Sequence, residues 1–84
     1  MKECHLIKYA IPLPDYKLKV IFRNGEVRLF DVKPFLNRKI FSRLKDEEYF
    51  RHVMVDEKSG SIFWQNGEDF CPDMVYEMSK PLDK

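Results

Sequence analysis

The residues with the most chemistry to offer lie between Trp64 and Tyr76 and just beyond. Glu68, Asp69, Asp73 and Glu77 could gather several carboxylates around one turn and one helix start, the arrangement that a divalent ion or an acid and base pair requires. A plainer reading assigns Asn66-Gly67 to the turn, Asp69 and Asp73 to the free amides of the helix start, and Trp64 and Tyr76 to packing. The plainer reading is adopted, so Trp64, Asn66, Gly67, Asp69, Pro72, Asp73 and Tyr76 are read as structural residues. A small metal-dependent hydrolase using Asp69 and Asp73 is the alternative.

Cys4, His5, His52 and Cys71 contain the atoms of a tetrahedral zinc site. No pair has Cys-x-x-Cys or His-x-x-x-His spacing, and neighbours such as Cys4 and His5 point to opposite faces of a strand. Nothing in the sequence brings a cysteine to a histidine as a nucleophile and base, so buried, inert thiols are expected. No catalytic residue, metal or cofactor is assigned.

Arg38, Lys39, Arg43 and Lys45 form a basic cluster with Phe41 interleaved, a pattern that could meet RNA or an acidic protein surface. The adjoining Asp46-Glu47-Glu48 could neutralise it through contacts at helical spacing, which favours a solvated face over a nucleic-acid site. The three glycines lie in separate turns, so there is no glycine-rich phosphate loop.

What must position these groups is small. Eighty-four residues suffice for one domain, and 44% apolar residues with twelve aromatics can fill its core. Fifteen Lys and Arg against fourteen Asp and Glu leave a net charge of +1, too little to concentrate nucleic acid by a global field. Two cysteines permit at most one bridge, so reduced thiols and a cytoplasmic location are expected. The longest apolar run is three residues, which supports neither a membrane span nor a signal peptide. A domain of this size gains from dimerisation, so a homo-oligomer is a possible state.

Residues 3–11 read as a strand that ends at Pro12-Leu13-Pro14-Asp15. Lys17 to Asp31 reads as a hairpin turning at Asn24-Gly25 in a type I′ turn. A two-residue loop would pair Phe22 with Val27, Val20 with Leu29 and Leu18 with Asp31 on the core face, and Ile21 with Arg28, Lys19 with Phe30 and Arg23 with Glu26 on the other. Pro34 starts a short helical connection with Leu36, Ile40 and Leu44 inward, and Asp46 caps a second short helix leading to Tyr49-Phe50. Val53–Asp56 and Ser61–Trp64 form a second hairpin around Glu57-Lys58-Ser59-Gly60, pairing Val55 with Ile62 and setting Met54 and Phe63 on the opposite face. Pro72 starts a last helix that packs through Val75, Met78 and Leu82, and the tail frays after Pro81. Two Asn-Gly turns, each after an aromatic-bearing strand, hint at a duplication that coincidence explains equally well.

Several of these pieces carry a family resemblance. They are Leu13-Pro14-Asp15-Tyr16, the run Phe22-Arg-Asn-Gly-Glu-Val-Arg-Leu-Phe-Asp31, Leu44-Lys-Asp46 with Phe50, Val55-Asp56, and Trp64-Gln-Asn-Gly-Glu-Asp69 with Pro72-Asp73 and Tyr76. In order and spacing they resemble the small bacterial family called domain of unknown function 2442, over nearly the whole chain. Members often place a proline after the aspartate matching Asp46, where this chain has Glu47. The resemblance implies a compact α+β domain with an antiparallel sheet and no established activity or cofactor. It also implies a gene often beside another small protein in what looks like a toxin and antitoxin arrangement.

The expected architecture is therefore one α+β domain of residues 1–84, with an antiparallel sheet of two hairpins and an N-terminal strand packed with two or three short helices. The expected function is non-enzymatic protein binding, with an antitoxin-like role in a two-protein system as its finer form. Met54 and Phe63, and the cations Arg38, Lys39 and Arg43, are the candidate partner-binding residues, and RNA binding through those cations is a further alternative.

Overall fold

A computed structural model of the chain describes residues 5–82. The predicted α+β class holds: a four-stranded antiparallel sheet and a three-stranded one share a core with short helices. The four-stranded sheet has the order β1 (Ile7–Leu13), β2 (Lys17–Phe22), β3 (Val27–Asp31) and β7 (Lys80–Pro81). β4 (Met54–Val55), β5 (Ile62–Phe63) and β6 (Asp69–Phe70) make the second sheet. Between them lie 3₁₀ segments Lys33–Phe35 and Lys39–Lys45 and helix α1 (Glu47–Phe50), and helix α2 (Pro72–Met78) precedes β7.

β1 runs through Pro12 instead of stopping there, because an edge strand tolerates a residue without an N–H. The predicted start of that strand includes Glu3 and Cys4, which lie outside the described residues. β1 turns directly into β2 at Pro14-Asp15-Tyr16, with φ of 66° at Asp15 and 61° at Tyr16. Aspartate enters this left-handed region readily, whereas tyrosine is strained there. Its surroundings hold it: the Tyr16 ring packs edge-on to Phe50 at 5.5 Å, its hydroxyl donates to the Lys45 carbonyl, and its carbonyl accepts from Val32 N at 2.9 Å.

The first hairpin forms where expected but in a register shifted by one. Leu18 lies opposite Phe30, Lys19 opposite Leu29, Val20 opposite Arg28 and Ile21 opposite Val27. The cause is the loop. Phe22 N donates to Glu26 O and Gly25 N to Phe22 O, each at 2.9 Å, so Arg23-Asn24-Gly25 makes a three-residue turn. Gly25 takes φ of 96° and Asn24 keeps a negative φ, whereas a type I′ turn needs both residues positive. Leu18, Val20 and Phe22 stay buried as expected, but Phe30 moves to the core side and Val27 and Leu29 move to the outer side. The second hairpin keeps the expected register, with Met54 opposite Phe63 and Val55 opposite Ile62.

The connection after β3 is 3₁₀ rather than α-helical. With about three residues per turn, Phe41 and Leu44 share the inward face. Both are buried, while Ile40, expected inside, is 69% exposed. Asp46 caps α1 as expected, its Oδ1 accepting from Glu48 N at 3.1 Å.

Two strands were not foreseen. β6 occupies Asp69–Phe70, so Asp69 sits on a sheet opposite Phe63 instead of capping α2. β7 continues the chain after α2 along β3, and Leu82 N donates to Val27 O at 2.9 Å, so the chain is still paired beyond Pro81. Val75 is buried as expected, but Met78 and Leu82 are exposed because the helix ends at Met78 and the backbone extends at Ser79.

The core joins both sheets through aromatic rings. Phe30 of the first meets Phe70 of the second edge-on at 5.2 Å, and Phe41 stacks on Phe70 at 4.7 Å. Fully buried Trp64 donates its indole N–H to Phe50 O at 2.9 Å, which satisfies the polar end of a large apolar group. The molecule measures 36 × 29 × 18 Å. Its least dimension leaves room for two packed layers about 10 Å apart with their side chains, and for no third.

Candidate binding surface

Because the helices and the second sheet pack on one side of the four-stranded sheet, its other side carries no layer among the described residues. Alternation along the strands fixes what it displays. One cross-strand row is Tyr9, Ile21, Val27 and Leu82; the next is Ile11, Lys19, Leu29 and Lys80; the third is Leu13, Lys17 and Asp31. Tyr9, Ile11 and Leu82 are exposed, and Ile21, Val27 and Leu29 are half-buried. The first row is therefore apolar across all four strands. In the second, each lysine stands beside aliphatic side chains.

Three lysines, Lys17, Lys19 and Lys80, stand against one acid, Asp31, in these rows. Lys17 pairs with Asp15 at 3.3 Å in the adjoining turn, and Lys33 pairs with the same carboxylate at 2.7 Å. Hydrogen bonds from Lys33 and then Lys17 hold the Asp15 carboxyl below its ordinary range, and Asp15 in turn raises Lys33. Among the described residues no ion pair involves Lys19 or Lys80.

The sequence did not point to this face, since a two-residue loop would have placed Val27 and Leu29 inward. The usable signal was the run Val27-Arg28-Leu29-Phe30: a three-residue turn puts Arg28 and Phe30 on one side and leaves two aliphatics outside. Arg28 tolerates the inner side because its guanidinium finds polar and aromatic partners there. It donates to Ser79 Oγ and Ser79 O, both at 2.8 Å, and its guanidinium lies 4.2 Å from the centre of the Tyr76 ring.

The residues singled out from sequence are dispersed. Met54 and Phe63 do lie side by side, on the outer face of the three-stranded sheet, with Met54 exposed, Phe63 half-buried and Asp69 next in the row. Arg38, Lys39 and Arg43 are exposed on and beside the second 3₁₀ segment, but Phe41 between them is buried and cannot stack on a base. The adjoining acids do not neutralise them. An extended backbone at Asp46 separates the two segments, so Asp46 serves α1 and Glu48 pairs with Arg51 at 3.1 Å.

The four carboxylates of the acidic stretch go separate ways. Buried Glu68 accepts from the Tyr49 hydroxyl at 2.7 Å, Asp69 is exposed on β6, Asp73 faces His5 with Oδ1 3.7 Å from Nδ1, and Glu77 is exposed on α2. Asp73 thus binds the N-terminal segment instead of a helix amide, and α2 has no side-chain cap. Tyr76 stacks on His5 at 3.7 Å and donates to Glu26 at 3.2 Å, which lowers the Glu26 carboxyl and raises the phenol. Asn66-Gly67 makes the turn, with Gly67 at φ of 105°, and Pro72 opens α2, both as expected.

Among the described residues no group of three or more His, Cys, Asp and Glu side chains could hold a metal ion. Cys71, expected buried, is an exposed free thiol because it lies between β6 and α2 with its neighbour Phe70 turned into the core instead; His52 bonds the Glu48 carbonyl on α1, and Cys4 lies outside the described residues. No helix among them is long and apolar enough to cross a membrane.

Residues 7–81 match the model of a family described as a protein of unknown function, DUF2442. No curated protein and no solved structure matches the chain.

Proposed function

The chain belongs to the DUF2442 family, and from that premise we propose that it is a non-enzymatic protein-binding module whose docking surface is the outer face of the four-stranded sheet. The apolar row Tyr9, Ile21, Val27 and Leu82, uncovered by any layer among the described residues, carries this reading. A face with one apolar row and flanking lysines suits a partner that removes the apolar row from water. The Met54 and Phe63 patch is smaller, resting on strands of two residues with Asp69 beside it.

The test is Leu29→Asp. Leu29 lies opposite Lys19 and Lys80, so an aspartate there finds opposite charges and the fold survives. Affinity purification from the native host recovers a stoichiometric second protein with the wild-type chain and loses it with Leu29→Asp, while circular dichroism stays unchanged. Retention of the partner by Leu29→Asp, with its loss on Phe63→Asp, would move the surface to the second sheet. In the finer, antitoxin-like form of this reading, co-expression relieves growth arrest caused by the neighbouring gene product, and Leu29→Asp abolishes the relief.

A further inference from the structure

Resting on that binding-face reading, we propose that the occupant is an amphipathic α-helix of another protein, apolar along one stripe and acidic along its borders. Charge selects the sign. Lys19 and Lys80, without an ion pair among the described residues, flank Leu29 in the second row, while in the third Lys17 is already paired with Asp15 and Asp31 is the one acid in the three rows. A second copy docking face to face with second row on second row would set Lys19 and Lys80 against their own counterparts, where like charges repel. A nucleic-acid backbone would meet the lysines but leave the row Tyr9, Ile21, Val27 and Leu82 against phosphate, with no compensation for either.

Size selects the shape. Four strands about 4.8 Å apart span about 14 Å between outer axes, and three rows about 7 Å apart span a similar length. That footprint of a few hundred Å², on the order of half or less of the roughly 800 Å² per partner in a stable rigid interface, is too small for two folded domains to grip by this face alone. A helix about 10 to 12 Å across covers it in two to three turns, with apolar side chains at i, i+3, i+4 and i+7 over the first row and acids reaching the lysines. It would also supply the layer that this side of the sheet lacks, since sheets bury an apolar face under helices or a second sheet.

Three peptides of about 15 residues test this. One has a Leu stripe bordered by Glu, one has the same stripe bordered by Lys, and one has the Glu peptide's composition with the stripe scrambled. Titrated into the isotope-labelled full chain, the Glu peptide shifts backbone amides of β1, β2, β3 and β7, and it weakens as salt rises from about 0.05 to 0.3 M. Lys19→Glu/Lys80→Glu loses about tenfold for the Glu peptide and gains for the Lys peptide. Absence of binding by the Glu peptide, equal binding of all three, shifts confined to other elements, self-association through this face at micromolar concentration, or displacement of the peptide by RNA would each overturn the proposal. Should the host partner depend on Leu29 while no peptide binds, the helix falls and the binding face stands. A host partner indifferent to Leu29→Asp would defeat the face itself.

Discussion

Glu68 shows how one tyrosine decides whether a buried acid is tolerated. Its Oε1 accepts from the Tyr49 hydroxyl at 2.7 Å, and that hydroxyl accepts in turn from Asn66 N at 2.9 Å, so a single phenol ties α1 to the turn before β6. Tyr49→Phe removes both bonds and leaves the carboxyl group largely out of water, which costs about 1 to 3 kcal/mol in urea unfolding at neutral pH. Burial, and then the bond to Glu68, push the Tyr49 phenol above its ordinary value. A group whose folded pKa is raised contributes stability that is complete below the unfolded pKa, near 10, and is lost as pH rises through the folded value. The deficit of Tyr49→Phe relative to wild type therefore narrows above pH 10. A deficit that grows with alkalinity would show that the phenol is not held neutral by the fold. The acid was visible in the sequence as chemistry, but its partner, nineteen positions away, was not.

At the scale of elements, the two Asn-Gly turns are the same device. Phe22-Arg23-Asn24-Gly25-Glu26 and Trp64-Gln65-Asn66-Gly67-Glu68 close identically: the aromatic N–H donates to the Glu carbonyl and the Gly N–H to the aromatic carbonyl, at 2.9 to 3.0 Å. Each glutamate then accepts from a tyrosine, Tyr76 for Glu26 and Tyr49 for Glu68. The Asn-Gly pair marks where a chain reverses but leaves the loop length open between two and three residues, and one residue of slip exchanges the faces of β3. The second hairpin was legible because its Gly-containing loop had a definite length, and α1 because Asp46 caps it. β6 and β7, at two residues each, are too short for periodicity to register. The candidate face was illegible for the same reason as the register. Glycine chemistry separates the turns experimentally. Gly25 has φ of 96° and open space for a Cβ, so Gly25→Ala costs only the conformational strain of about 1 to 2 kcal/mol. At Gly60, with φ of 72°, a Cβ would come within 2.7 Å of the Leu6 side chain and 2.9 Å of its backbone, beside the bond from Ile7 N to Gly60 O at 3.0 Å. Gly60→Ala adds overpacking of about 1 to 3 kcal/mol to that strain. Equal midpoints for the two variants in urea would refute the close approach.

For the whole molecule, the two sheets are separate hydrogen-bonded ladders with one interior. The bond from Ile7 N to Gly60 O and the pairs of Phe70 with Phe30, Phe35 and Phe41 tie the three-stranded sheet to elements from the first half of the chain. Neither sheet has an apolar partner of its own: removing Phe70 from Phe30 would expose both inner faces at once. A domain of this size keeps stability on the order of 5 to 15 kcal/mol, too little to sustain either half with its core open. Unfolding is therefore a single transition. Trp64, the sole tryptophan, reports the second sheet by fluorescence, while amide circular dichroism weights the longer strands β1, β2 and β3. The two probes give superimposable urea curves with one midpoint and one slope, and Phe70→Ala lowers both midpoints together by about 3 to 5 kcal/mol of stability. A tryptophan transition that precedes the circular dichroism change, or a Phe70→Ala variant that melts only the Trp64 signal, would mean that the four-stranded sheet holds without its inner cover. The face proposed for docking depends on the opposite: the outer side can stay open in the free protein because the inner side alone closes the core.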